Sequence, residues 1–404
     1  MCQSFLMLLF MVLGIVDSVM GQEQPLGRPG PGPSLLNPDV SFDGLFTVGG
    51  FSNPNHLQLG GHDPKVNGIT AQNFETTFKS VIDPFWEGIA HMVLLIEEGA
   101  TKIELEEAYM TSLDFPWGLQ LIGGQFFTRF GRLNPSHPHA WNFADQPVIN
   151  GRVFGGDGLR QTGLQLSWLS PTPFFLEWRG SVQNANGETA PSFINPAASK
   201  TAPENVYLTR PLVARPAVTF RDLLYMGGVK SSWDLSESLT AVAGGSLLYG
   251  PNNTGLETIT RMYGVDLYLK WKPEVTDHGW PFVTWQTEAI WRAYDAAEYT
   301  DTGASTHVPA ATIQDSGWYS QLVYGFSRGW TAGIRWDWVN GGNSASPDLD
   351  QRTRIAPSLT YYPSEFSKIR FQYNFDKAQH RADPIHAVFV QFEFLMGAHG
   401  AHQF

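Results

Sequence analysis

Cysteine is almost absent: the 404-residue sequence contains one, Cys2. It stands ahead of an apolar run, Phe5 to Val16, of signal-peptide length, and small residues around Val19-Met20-Gly21 suit cleavage after Gly21. The expected mature chain therefore has no cysteine, which excludes disulfides, a thiol nucleophile and thiolate metal ligands. Charge is scarce as well, at 16% of residues, against about a quarter in ordinary soluble domains. Long apolar runs are missing beyond Gly21; the longest, Ile89 to Ile96, is interrupted by His91 and falls far short of the ~20 residues of a spanning helix. Entry into a membrane would then have to be made by strands, because only helices and closed barrels satisfy every backbone group in lipid. No G-x-S-x-G elbow, H-E-x-x-H pair or phosphate loop is present, so no enzyme and no cofactor are expected. The net charge of −12 gives no basic footprint for nucleic acid.

What the chain does have is glycine (41), aromatic residues (13%) and 14 tryptophans, a composition suited to strands facing hydrocarbon and its interfaces. Residues 22–40 are rich in Pro and Gly and read as a tether after a signal peptide at 1–21. From 41 to 396 the chain alternates with period two in stretches mostly ten residues or longer: 41–48, 69–80, 86–97, 102–112, 118–132, 160–169, 173–183, 219–233, 238–250, 259–272, 280–295, 312–326, 329–340, 351–362, 365–376 and 384–396. Short connections interleave with longer ones, notably 133–159 and 184–218, as periplasmic turns and outer loops do. The expected fold is all-β: a transmembrane antiparallel up-and-down barrel of about 16 strands (14 to 18), with no plug domain and a C-terminal tail at 397–404. In the strand from Ile259, Tyr263, Val265, Leu267, Leu269 and Trp271 suit lipid, while Gly264, Asp266, Tyr268 and Lys270 face inward. The last strand has to pair with the first, near Phe42 to Val48, because a barrel has no free edge.

The stretch Lys102 to Asn134 reads as a hairpin across a turn at Asp114-Phe115-Pro116-Trp117-Gly118. In its first arm Ile103 and Leu105 separate from Glu104 and Glu106, and the doubled Glu106-Glu107 predicts a bulge. In its second arm Gln120, Ile122, Gly124, Phe126, Thr128 and Phe130 form the face suited to lipid, and Leu121, Gln125 and Arg129 belong to the opposite one. The residues Glu106 to Asn134, EEAYMTSLDFPWGLQLIGGQFFTRFGRLN, resemble a motif of the phosphate-selective porin family, porins O and P. A closer resemblance is to a group of outer-membrane proteins labelled zinc-regulated TonB-dependent receptors. It rests on Asn37-Pro38-Asp39, Val81-Asp83-Pro84, Phe130 to Asn134 with His137-Pro138-His139, and His399 to Phe404. The resemblance implies an outer-membrane barrel; a TonB-gated receptor of about 22 strands with a plug is excluded by length.

With the polar faces inward, the pore-lining candidates are Glu104, Arg129, Glu177, Arg179, Asp266, Lys270, Glu288, Arg292, Arg335, Asp337, Arg354, Lys368 and Arg370, joined by Glu106, Asp222, Lys230 and Glu393. Fixed charges of both signs can set ion selectivity, and cross-lumen pairs that stiffen the wall need the same residues. Loop 133–159 is long enough to fold into the lumen as a constriction, carrying His137, His139, Trp141, Asp145, Arg152 and Asp157. His137 and His139 are candidate metal ligands. The expected function is an outer-membrane porin or channel for passive diffusion of small hydrophilic solutes or ions. The alternative is an outer-membrane receptor or binding protein for metal (zinc) uptake. Expected partners are outer-membrane lipid, the barrel-assembly machinery and further copies of the chain in a homo-oligomer.

Overall fold

A computed structural model describes residues 38–97, 100–195, 206–301, 306–342 and 346–397. The signal-peptide segment, nearly all of the tether and the tail after Gly397 lie outside these residues. Sixteen antiparallel strands form a closed barrel in chain order. They are β1 (Asp39–Phe51), β2 (Gly68–Asp83), β3 (Trp86–Glu97), β4 (Ala100–Ser112), β5 (Leu119–Phe127), β6 (Arg160–Leu169), β7 (Phe175–Asn184) and β8 (Leu223–Ser236). The second half comprises β9 (Leu239–Pro251), β10 (Ile259–Trp271), β11 (Phe282–Ala296), β12 (Ala311–Ser327), β13 (Trp330–Gly341), β14 (Arg352–Ser364), β15 (Ser367–Ala378) and β16 (Ile385–Gly397). Every strand pairs with its neighbours, and β1 closes on β16 from Ser41 opposite Gly397 to Phe51 opposite Ala387. Among the described residues no helix is long and apolar enough to cross a membrane.

Period-two alternation decides the faces. On β13, Ile334 and Trp336 are 49% and 50% exposed, while Arg335 and Asp337 between them are 1% and 0%. The outward set is the one a bilayer would cover. On β10, Tyr263 and Val265 point out while Asp266 is buried, and on β15 Phe371 and Tyr373 point out against Arg370, Gln372 and Asn374. Tryptophans and tyrosines gather near strand ends, for example Trp330 stacked at 4.4 Å on Tyr361, as interfacial girdles do.

Three features of the β4 and β5 hairpin bear on expectation, one meeting it and two departing from it. The bulge at Glu106-Glu107 is present: His91 pairs with Glu107 and Met92 with Leu105, leaving Glu106 unpaired. The faces of β5, however, are reversed. Ile122 and Phe126 are buried inside, and Gln125 turns its amide to the Leu105 and Glu106 carbonyls of β4. The inward set, Gln120, Ile122 and Phe126, is the same on both sides of Gly124, whose φ of 138° is open to glycine, so the whole strand is turned over relative to expectation. Third, β5 stops at Phe127 rather than at residue 132, and the chain enters the lumen. Near the other long loop, β8 begins at Leu223. Asp222, expected on a lumenal face, instead closes a capping box on Thr219 and pairs with Arg215.

Candidate functional site

Segment 128–159 is the part of the chain that makes this barrel more than a wall. Its neck is tied by Thr128 N donating to the Leu159 carbonyl at 2.9 Å. Asn134 fastens the same neck, donating to Thr128 O at 2.7 Å and Leu159 O at 3.0 Å and accepting from Leu159 N at 2.8 Å. Inside, the segment makes one helix, α1 (Val148–Phe154), almost wholly buried. Phe130, Val148, Ile149, Val153 and Phe154 form a small apolar core with Leu224, Met226, Leu248, Met262, Ile290 and Val339, which point inward from β8 to β11 and from β13. Burying side chains of this kind is worth about 1.5–3 kcal/mol each, so the inner faces of β8 to β11 and β13 are a docking surface for the segment.

The other contact is ionic and centres on Asp145, the residue expected in a constriction. Its Oδ1 accepts from Arg335 Nη2 at 2.9 Å and Gln372 Nε2 at 2.7 Å; its Oδ2 accepts from Arg354 Nη1 and Asn374 Nδ2, both at 2.6 Å. Burial alone would raise the pKa of this carboxyl, but Arg335 and Arg354 hold it well below the usual carboxylate range. The neighbouring charges do similar work. Asp337 Oδ1 accepts from Val148 N at 3.0 Å, Lys368 donates to His139 O at 2.6 Å and Arg370 to Trp141 O at 2.8 Å. Glu288 faces Leu133 N at 3.4 Å and the Tyr319 hydroxyl at 3.1 Å. Arg292 pairs with Asp315 at 2.7 Å and donates to Ser192 Oγ at 2.7 Å, holding a second inward stretch, 185–195. These residues do face inward, and their charges are met largely within the wall, Arg292 by Asp315, Arg335 by Asp337, Arg354 by Asp376 and Lys368 by Glu393, while the segment adds Asp145 to Arg335 and Arg354. Arg152 donates to the Leu349 and Asp350 carbonyls, and burial lowers its guanidinium pKa to about 10. Glu104 pairs with Arg160 beside the neck of the segment, Asp157 is partly exposed, and Lys270 shares the inner face of β10 with Asp266.

Open space remains on the opposite side. A cavity of about 330 Å³ is lined by Arg129, Arg132, Arg179 and Lys230 and by Asp43, Glu75, Glu87 and Glu107, with the signs interleaved where Arg179 pairs with Glu177 and Lys79 with Glu87. Glu177, His137, His139 and Trp141 also line it. Lys79, Glu87, Thr111 and Leu113, beside the turns at 84–85 and 113–118, border it too, so it opens toward the end of the barrel that carries the short turns. Toward the loop end, only about 20 Å³ lies between residues 133–158 and the side chains of His62 and Glu106. Of the pore-lining candidates, then, Arg129, Glu177, Arg179 and Lys230 reach the open space, while those on β11 and β13 to β15 meet the inward segments.

At the inner limit of the cavity, imidazoles and carboxylates converge. Glu75 Oε1 is 2.9 Å from His91 Nδ1, and Glu75 Oε2 is 3.1 Å from His137 Nδ1 and 3.5 Å from His139 Nδ1. Glu107 Oε2 is 3.0 Å from His137 Nε2, and Glu106 Oε2 is 2.9 Å from His137 Nδ1. Burial pulls the His137 pKa down, but Glu75 and Glu106 more than offset it and hold the imidazole well above its usual range.

No family model matches the chain. An uncharacterized protein of Aquifex aeolicus (strain VF5) is 31% identical over 367 residues, spanning 85% of this chain and 73% of that one. The chain belongs to the family of that Aquifex protein. Among solved structures, the outer-membrane channel DcaP of Acinetobacter baumannii is similar at a TM-score of 0.55 and 10% identity, over 89% of this chain and 96% of that one. The anion-selective porin of Comamonas acidovorans gives 0.53 at 8% identity over 89% and 99%, and Salmonella typhi OmpF 0.51 at 13% over 88% and 97%. At these identities the likeness is one of fold: a 16-strand porin-type barrel of the bacterial outer membrane. It singles out neither the phosphate-selective porins nor the zinc-regulated receptors.

Within this family member, sequence reading passed over Asp43, Glu75, His91, Glu107 and Arg132, all of which border the cavity. The signal for Glu75 was available in β2, where Asn73, Glu75 and Thr77 are the buried set of a period-two strand. Arg132, lying 4.0 Å over the Tyr268 ring, gave none, because it belongs to the inward segment rather than to a strand.

Proposed function

We propose that this barrel is a porin-type channel for passive diffusion of small hydrophilic solutes or ions, narrowed by segment 128–159. The observation that supports the reading most is the cavity lined by fixed charges of both signs, ending against that segment. Opposed fixed charges attract hydrated solutes of either sign and disfavour apolar ones. The unlike charges on β11 to β15 serve the channel indirectly by holding the constriction in place. We take the chain to be a channel and not an enzyme, since this arrangement of lumenal charge serves docking and passage. Single-channel recording on refolded protein in planar bilayers tests the proposal: stepwise conductance in salt is expected, and its absence in protein shown to be folded would overturn it. A receptor reading draws on a different feature, the cluster around His137.

A further inference from the structure

Deepening the channel reading, on which it rests for its place in the lumen, we propose that Glu75, His91 and His137 bind a divalent transition-metal ion of the zinc type that fastens the inward segment to the wall of β2 and β3. One ligand atom from each of the three residues can be chosen so that all lie within 4.8 Å of one another. The Glu75 carboxylate already bridges the two imidazoles, with Oε1 2.9 Å from His91 Nδ1 and Oε2 3.1 Å from His137 Nδ1, so all three side chains converge on one point.

The direction of the groups carries the argument further. His137 Nδ1 and Glu106 Oε2 are buried and 2.9 Å apart, yet neither has a hydrogen-bond partner in acceptable geometry. Groups this close that do not point at each other suit a common guest better than a mutual bond. Carboxylates crowd the same place: Asp43, Glu75, Glu106 and Glu107 lie around three histidines, and although Glu106 also pairs with Arg160, neither oxygen of buried Asp43 has a hydrogen-bond partner. A dication would relieve that crowding, since buried like charges are unfavourable unless paired or bound to a metal. Glu107 supplies what a metal-bound histidine needs on its far side. Its Oε2 accepts from His137 Nε2 at 3.0 Å and lies 3.8 Å from His91 Nε2, so both Nδ1 atoms turn toward Glu75, where His91 Nδ1 also meets Thr77 Oγ1 at 2.9 Å. Mixed imidazole and carboxylate donors select zinc-type ions over calcium or magnesium. The site borders the cavity, so an ion reaches it from the turn end of the barrel.

The constellation differs from the His137 and His139 pair that the sequence suggested. The rings of those two histidines stack with centroids 5.6 Å apart, and His139 also lies beside Glu75 at the rim of the cluster.

The test is a zinc titration, by calorimetry, of chelator-treated, refolded full-length protein, with conductance recorded on the same preparation. One site per chain is expected, with His91→Ala weakening it about tenfold or more and exposed His278→Ala leaving it unchanged. His137→Ala counts only if its barrel keeps heat-resistant mobility on gels; should it fail to fold, His91→Ala and Glu75→Gln decide. Absence of saturable binding, or His91→Ala and Glu75→Gln both binding as wild type, overturns the site. A conducting pore without zinc binding sinks this proposal alone, whereas zinc binding in folded protein that never conducts upholds the site and sinks the channel reading.

Discussion

Asp145 is the residue on which the placement of the inward segment most depends. Two buried guanidiniums, Arg335 and Arg354, point at it, and the amides of Gln372 and Asn374 complete its acceptor sites. Removing one partner of such a buried pair leaves charge unpaired and typically costs about 3–5 kcal/mol. Asp145→Ala should therefore release the segment, lower the thermal midpoint and raise conductance, while the barrel still forms. The same carboxyl predicts an acid response. Its pKa is depressed in the folded state, so its stabilisation is in full force above the unfolded value of about 4 and is lost as pH falls below it. Thermal melts from pH 7 to pH 3 should show the wild type losing stability below about pH 4 more steeply than Asp145→Asn, which no longer titrates there. Parallel curves would remove Asp145 from the acid response. The importance of this aspartate was only half legible: its loop was expected in the lumen, but its partners lie about 190 to 230 residues away in sequence, a separation that spacing cannot reveal.

For the strands, the sequence alone carried nearly everything, because a lipid-facing strand writes its face into alternate residues. The expected β3 and β6 match the observed Trp86–Glu97 and Arg160–Leu169 residue for residue. β5 is the instructive failure. Its alternation runs on to Phe130, but Phe130 is apolar because it joins the lumenal cluster with the inward-facing Met262 and Ile290, not lipid. Apolar residues on lumenal faces, among them Leu224, Leu248 and Val339, were the overlooked sign that something packs inside. The faces themselves can be checked by substitution. Ile334→Arg puts a cation in the hydrocarbon and should destabilise the folded barrel by about 2–4 kcal/mol if it lies near the midplane. Thr284→Arg, on the cavity-lining face of β11, should leave stability near wild type and shift ion selectivity toward anions. Urea titrations in lipid and reversal potentials give the two readouts, and equal losses from both substitutions would show the faces misassigned.

At the scale of the whole molecule, the barrel wall and the segment inside it should be separable, because the sixteen strands form a continuous hydrogen-bonded ring without it. Deleting His137 to Val153 should yield an insertable barrel of higher conductance and lower thermal stability, and unchanged conductance would place the constriction elsewhere. Closure of the ring depends instead on one seam. Along it β1 and β16 pair over eleven positions, Gly44 opposite Phe394, and the Phe394 ring lies directly over the place where a side chain at Gly44 would begin. Phe42, its ring centroid 6.0 Å from that of Phe394, flanks the same spot. Glycine at residue 44 thus makes room for an aromatic near the end of the last strand. Gly44→Val should slow or block closure, read as loss of heat-modifiable mobility and accumulation of unfolded chain. If the clash is the cause, Phe394→Ala should restore assembly in the double variant, although the single Phe394→Ala loses packing at the seam. That sign reversal separates a steric seam from a general intolerance of β1, which would leave the double variant worse than either single one.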